Sequence, residues 1–311
     1  MENYFIITAG PTGSGKTKLI ETTLHTIAAE TPYEYTKFLI DDLIENDENY
    51  KNDVDKIIDS INEKCSGEEQ GEEQGEEQGE EQGEEQGEEQ GECIKEAFDN
   101  PTVDLFKKFE TAYFKARKEG CNDTGGCNHY LDDMLEKMNE KKPRIAVFET
   151  TGLNIPNWLL NPRYIPDEYS VIFSYSLVNI PNLVKRNKSR AYSGYLNYIS
   201  DKTQNSAFRL PNVNEEKITD IVTSIKNKLK TLYENCIKTN NEIICGEKKI
   251  DRLLIFDNNG KKHKLVFDSL NDIIDDDEFE KIIDASINKR KSKRKSKRKS
   301  KRKSKRKSKR K

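Results

Sequence analysis

Eight residues near the amino terminus limit this chain more than any other feature: Gly10, Pro11, Thr12, Gly13, Ser14, Gly15, Lys16 and Thr17. They follow an apolar run, Tyr4-Phe-Ile-Ile-Thr8, that reads as a buried strand. They precede Lys18–Glu30, where Leu19, Ile20, Leu24 and Ile27 recur at helical spacing and Pro32 lies beyond the end. Strand, Gly-x-x-x-x-Gly-Lys-Thr and helix in that order form a phosphate nest. The glycines let the main chain curl so that successive N–H groups face inward, and the helix adds its positive end. The expectation is a site for ATP with Mg²⁺, built from Gly10 to Thr17. Lys16 would reach the β- and γ-phosphates and Thr17 would ligate the metal.

The rest of the chain alternates strand-like and helix-like segments. Lys37-Phe-Leu-Ile-Asp41, Arg144–Glu149, Tyr169–Leu177, Arg252–Asp257 and Lys264–Phe267 read as strands, the last two joined by a turn at Asn258-Asn259-Gly260. Residues 53–64, 94–118, 129–141, 182–190 and 215–236 read as helices. This alternation predicts an α/β fold. It would be a three-layer P-loop NTPase sandwich with a mostly parallel central sheet, an antiparallel C-terminal edge hairpin and helices on both faces.

Two low-complexity segments divide the chain. Residues 67–92 repeat Gly-Glu-Glu-Gln and residues 289–311 repeat Lys-Arg-Lys-Ser. Neither offers enough apolar surface to offset ordering entropy, so both are expected to be disordered. The folded domain then comprises residues 1–66 and 93–288. The tail holds 18 of the 53 Lys and Arg, and the repeat 13 of the 56 Asp and Glu, which leaves the remainder with a net charge of about −8. A nucleic-acid reader would carry its basic patch on the globular surface. Here only residues 289–311 offer one, as a nuclear-localisation signal or a non-specific nucleic-acid contact. No secretory signal or membrane span is evident, and no membrane partner is expected. The six cysteines are scattered without a Cys-x-x-Cys pair. That pattern fits a reducing, intracellular setting, cytoplasmic or nuclear. Cys121, Cys127 and His129 lie close together, but without zinc-finger spacing or an evident fourth ligand they read as a loop.

Three further groups bear on chemistry. Asp41 and Asp42 stand at the C-terminal end of the second expected strand, the edge that faces the ligand crevice in open parallel sheets. Either could accept a proton from a substrate hydroxyl; alternatively the pair caps a short helix over 43–45. Glu149 ends a central strand, where an acid holds the Mg²⁺ shell or the substrate, with Thr150 and Thr151 supplying hydroxyls. Arg186, Arg190 and Arg209 follow the fourth strand, and planar guanidinium groups stabilise charge on a transferring phosphoryl.

These residues together resemble the zeta-toxin family of P-loop kinases over residues 1–270, less the acidic insert. Gly10–Thr17 is similar to the family's P-loop and residues 38–43, Phe-Leu-Ile-Asp-Asp-Leu, to the strand that delivers its catalytic Asp. Residues 147–152, Val-Phe-Glu-Thr-Thr-Gly, resemble its Glu-x-Thr-Gly stretch, residues 208–211, Phe-Arg-Leu-Pro, its Arg-x-x-Pro element, and residues 252–260 its closing strand and Asn-containing turn. The resemblance implies ATP-Mg²⁺ held by Lys16 and Thr17. It implies a base at Asp41 or Asp42, where the alignment slips by one residue, and substrate contact at Glu149. Arg186 or Arg190, with Arg209, would clamp the phosphates. Toxin-type members phosphorylate a sugar hydroxyl of UDP-N-acetylglucosamine. The expected activity is therefore ATP-dependent phosphorylation of a small-molecule hydroxyl. A polynucleotide 5′-kinase and a non-catalytic, nucleotide-gated interaction module are the alternatives.

Overall fold

The computed structural model of the chain describes residues 3–27, 34–66, 81–118, 140–153, 165–234, 237–238, 243–244 and 250–288. Strand β1 (Asn3–Ala9) lies between β3 (Ile145–Thr150) and β4 (Tyr169–Leu177), parallel to both. Outside β3 runs β2 (Thr36–Phe38), and outside β4 runs β7 (Arg252–Asp257), again parallel. The edge strand β8 (Lys264–Asp268) is antiparallel to β7 with a bulge at Ile255/Phe256. The order β2-β3-β1-β4-β7-β8 is that of an α/β fold of the P-loop NTPase kind, with the expected antiparallel hairpin at the C-terminal edge. A separate small ribbon pairs β5 (Ile237–Lys238) with β6 (Ile243–Ile244).

Helices cover both faces of the sheet, and strand periodicity decides which side chain meets which helix. Ile6 points to the face covered by α1 (Lys16–Thr26), where it meets Leu19, Ile20 and Leu24. Its neighbours Phe5, Ile7 and Ala9 point the other way. There they join Ile218, Val222, Ile225 and Leu229 of α7 (Glu215–Glu234) and Phe279 and Ile283 of α8 (Asp276–Ile287). Burial on both faces is why the central strands are apolar throughout rather than alternating.

A second body of helices stands beyond the C-terminal ends of the parallel strands, where β2 and β4 lead into it. It comprises α2 (Ile40–Glu45), α3 (Glu48–Cys65), α4 (Glu81–Asp99) and α5 (Val103–Lys118), packed against α6 (Ile180–Ser200). Phe98 is its hub. It is fully buried, stacks on Tyr195 at 4.4 Å between centroids, and meets Phe208 and Phe109 at 5.5 and 6.4 Å. Phe98→Ala should cost about 3–5 kcal/mol of stability. Urea unfolding measures it, and a loss under about 1 kcal/mol would mean that this cluster is not packed as described.

The structure departs from the sequence reading at four places. The strand expected over 37–41 ends at Phe38, and Asp41 and Asp42 lie in the first turn of α2. The helix cap there is Leu39, so neither Asp serves as the cap; both carboxylates stand at the positive end of the helix. The single helix expected over 94–118 is two, broken at Asn100-Pro101-Thr102, where proline disfavours a helical residue before it. Thr102 Oγ1 then accepts from Leu105 N at 3.1 Å and starts α5. The insert, expected to be unstructured over 67–92, is helical from Glu81. Glu and Gln are good helix formers, and extending the packed turns near Phe98 avoids a new nucleation step. Finally, Cys65 and Cys93 form a disulfide across the insert, against the expectation of reduced thiols. Their separation of 28 residues carries no signal until α3 and α4 lie side by side.

Other expectations lie outside the described residues: the insert over 67–80, the Cys121, Cys127 and His129 loop, most of the helix over 129–141, the last turn expected at 235–236 and the tail over 289–311. Helix α8 had no counterpart in the sequence reading, although Asp275 caps it and Phe279, Ile283 and Ile287 recur every fourth residue. Among the described residues no helix is long and apolar enough to cross a membrane, and no His, Cys, Asp and Glu cluster could hold a metal by itself.

Candidate functional site

The loop after β1 turns sharply at three glycines. Gly10 has φ 154°, and Gly13 and Gly15 both have φ 83°, the left-handed region that glycine adopts without a Cβ penalty. A Cβ on Gly10 would stand 2.4 Å from Ser14 Oγ and 2.9 Å from the backbone oxygen of Ser176. The turn closes through Ser14 N to Pro11 O at 2.9 Å, and α1 begins with Gly15 as its cap. Its first-turn N–H groups have no intrahelical acceptors, and no acidic side chain sits in that turn to neutralise them. The loop therefore presents a positive nest shaped for phosphate.

Lys16 and Glu149 meet beside this nest, with Nζ 3.4 Å from Oε1. The parallel register places Glu149 opposite Thr8, so β3 delivers its carboxylate to the mouth of the loop. Burial pushes the Lys16 ammonium below its ordinary range, and the charges of Glu149 and Asp41 oppose that shift. A polyphosphate would replace the missing solvation and favour the charged form of Lys16.

One cavity of about 330 Å³ unites most of the sequence-selected residues. Pro11, Thr12, Lys16 and Thr17 line one end, with Glu149 and Thr151 beside them, and Asp41, Asp42, Arg190 and Arg209 line the rest. Gly10, Gly13, Ser14 and Gly15 shape the loop behind the cavity, and Thr150 and Arg186 make other contacts. Thr150 turns its hydroxyl to accept from Gly152 N at 3.3 Å, and its carbonyl accepts from Gly10 N at 3.3 Å. Arg186, expected to face phosphates, instead donates to backbone oxygens, from Nη1 to Gly13 O at 3.2 Å and from Nη2 to Asn258 O at 2.8 Å. Both of its guanidinium ends are thereby engaged in holding the loop.

The wall opposite the nest comes from α5, whose Phe106, Phe109, Tyr113 and Phe114 all face the cavity. Tyr113 donates its hydroxyl to Asp41 Oδ1. Arg209 donates to Asp41 Oδ2 at 3.0 Å and lies 3.9 Å from the centroid of the Tyr113 ring. Asp41 is thus held from two directions. Asp42 lacks this clamp, and burial followed by the charge of Asp41 raises its pKa. Sequence reasoning missed Tyr113 because it falls in step with the apolar face of α5, where it is indistinguishable from a core residue.

Glu45 is a second missed group. Burial, then the charge of Asp41, raises its carboxyl from an ordinary 4.5 to about 7. The folded state thus keeps a proton that the unfolded chain releases. The penalty is absent below pH 4.5, grows as pH rises to about 7 and stays constant above it. Glu45→Gln should therefore be more stable than the parent at pH 8, with little difference at pH 4.5. Urea midpoints at the two pH values measure this; an equal difference at both would show that Glu45 does not titrate in that window.

No protein-family profile matches the chain, and no curated protein sequence matches it. Among solved structures, it is similar to one from the PezAT chromosomal toxin-antitoxin system of Streptococcus pneumoniae. The match has a TM-score of 0.43 and 11% sequence identity, and covers 94% of this chain and 81% of that one.

Proposed function

We propose that the protein is a P-loop kinase that uses ATP with Mg²⁺ to phosphorylate a hydroxyl of a small molecule. One observation carries this reading: a single cavity has the nest and Lys16 at one end and a clamped carboxylate, Asp41, facing it. Simple nucleotide binding has no use for such a carboxylate. In this reading the N–H groups of the loop and the Lys16 ammonium bind the β- and γ-phosphates, and Lys16 exchanges Glu149 for them. Thr17 and Glu149 would hold Mg²⁺, which supplies charge neutralisation between the phosphates when bound.

Asp41 is the proposed base. Its charge acts on Lys16, whereas the lysine whose charge acts on Asp42 is Lys37. The acceptor oxygen attacks the γ-phosphorus, the bond to the bridging oxygen breaks, ADP leaves, and the hydroxyl proton passes to Asp41. A loose transition state asks little basicity of that carboxylate, so its contacts with Arg209 and Tyr113 serve orientation. Arg190 and Arg209 line the path of the transferring group and oppose its charge.

A transfer screen with labelled ATP tests the reading. The acceptors are nucleotide sugars such as UDP-N-acetylglucosamine, free sugars, nucleosides and oligonucleotides, with Lys16→Ala as the blank. Label appearing on any small hydroxyl compound only with the parent protein supports it. Transfer confined to oligonucleotide ends would favour a polynucleotide kinase, the reading that the basic tail over 289–311 motivates. ATP binding without transfer to any acceptor would reduce the protein to a nucleotide-gated module.

A further inference from the structure

The loop's two central carbonyl groups are turned away from the nest and held there. Ser14 O accepts from Asn258 Nδ2 at 2.6 Å and from Ser176 Oγ at 2.8 Å. Gly13 O accepts from Arg186, which also grips Asn258 O. Asn258 is buried, and the next residue ties this turn to the rest of the fold. Asn259 Oδ1 accepts from Asn179 N at 2.8 Å, and its Nδ2 donates to Ser286 O at 2.6 Å. The anchor therefore reaches both the start of α6 and the end of α8.

A trans peptide points its C=O and N–H in opposite directions. Two donors on Ser14 O therefore aim the N–H of Gly15 to the opposite side. The grip on Gly13 O likewise fixes the plane whose N–H, from Ser14, closes the turn onto Pro11 O. Because Gly13 and Gly15 have no side chains, nothing local opposes a flip of these planes. Their orientation comes from the neighbouring elements.

We infer that Asn258 and Arg186 are positioning residues for the phosphate nest: Asn258 holds the Ser14 carbonyl outward so that the Gly15 N–H faces the polyphosphate, and Arg186 holds the Gly13 carbonyl so that the turn onto Pro11 that shapes the nest stays closed. The inference rests on the proposed ATP site and adds the part of the fold that shapes it. Neither residue needs to touch the ligand.

The test compares calorimetric affinities for ATP and for inorganic tripolyphosphate, both with Mg²⁺, in the parent, Asn258→Asp, Asn258→Ala and Arg186→Lys. Asn258→Asp places a carboxylate oxygen against Ser14 O. Each variant should bind both ligands about 10- to 100-fold more weakly, by the same factor for the two, as expected for one buried hydrogen bond lost. Asn258→Asp should be the weakest, and Arg186→Lys, which retains one donor group and the charge, the mildest. A variant that weakens ATP but leaves tripolyphosphate unchanged would show that the residue contacts the nucleoside, which overturns the inference. Unchanged affinity for both ligands in Arg186→Lys and Asn258→Ala overturns it too, while the ATP site itself stands. If the parent binds neither ligand, the ATP reading falls and this inference with it. Should Asn258→Asp fail to fold, Arg186→Lys decides alone.

Discussion

Lys16→Ala lowers phosphoryl transfer by about 10³-fold or more, equivalent to roughly 4 kcal/mol of transition-state stabilisation. The size follows from where the ammonium lies. It is nearly buried, 3.4 Å from Glu149, and desolvation works against its charged form. Charge-assisted contacts in such a site are worth more than the same contacts in water. The substitution should weaken ATP binding as well, because the same group holds the phosphates before and during transfer. Initial rates with the best acceptor from the screen measure the first effect, and calorimetry the second. Circular dichroism confirms that the variant is folded, since Glu149 loses its partner. Transfer within about tenfold of the parent would remove Lys16 from the machinery.

Asp41→Asn separates binding from chemistry. Asparagine can keep both contacts by accepting from Arg209 with its Oδ1 and donating from its Nδ2 to the Tyr113 hydroxyl, so the shape of the cavity is kept while the base is lost. Transfer should fall by about 10²- to 10⁴-fold, and ATP affinity should change by less than about threefold, under 1 kcal/mol. Asp42→Asn, without the clamp, should leave both within about threefold of the parent. Pre-steady-state rates and ATP affinities of the two variants decide between them. If Asp42→Asn shows the large loss and Asp41→Asn does not, the base is Asp42 and the Tyr113–Arg209 clamp has another purpose.

The sequence exposed the triphosphate side of this site more fully than the acceptor side, for a physical reason. Gly13 and Gly15 act through main-chain geometry, and Lys16 and Thr17 through side chains in the same short segment, so their spacing alone carries the signal. Strands β1, β3, β4 and β7 were equally legible, because burial on both faces leaves uninterrupted apolar runs. The clamp on Asp41 depends instead on Tyr113 and Arg209, which are 72 and 168 residues away from it. Arg186 shows the limit from the other side. Its residue type and position on α6 suggest phosphate binding, and only the carbonyls of Gly13 and Asn258 reveal its other task. The turn at Asn258 was visible as a hairpin signal, but its bond to Ser14 spans 244 residues. Two local signals were passed over: Pro101, which would have divided the helix over 94–118, and the Asp275 cap with Phe279, Ile283 and Ile287 at helical spacing, which marks α8.

A crystal structure of the protein with a non-hydrolysable ATP analogue and Mg²⁺ tests the central claim most directly. The β- and γ-phosphates should lie within hydrogen-bond distance of the loop N–H groups and Lys16 Nζ, with Lys16 drawn away from Glu149 and the Asp41 carboxylate facing the γ-phosphorus across the cavity. An analogue seated outside the loop, or an Asp41 carboxylate facing away from the γ-phosphate, would contradict the assignment of this cavity as a kinase active site.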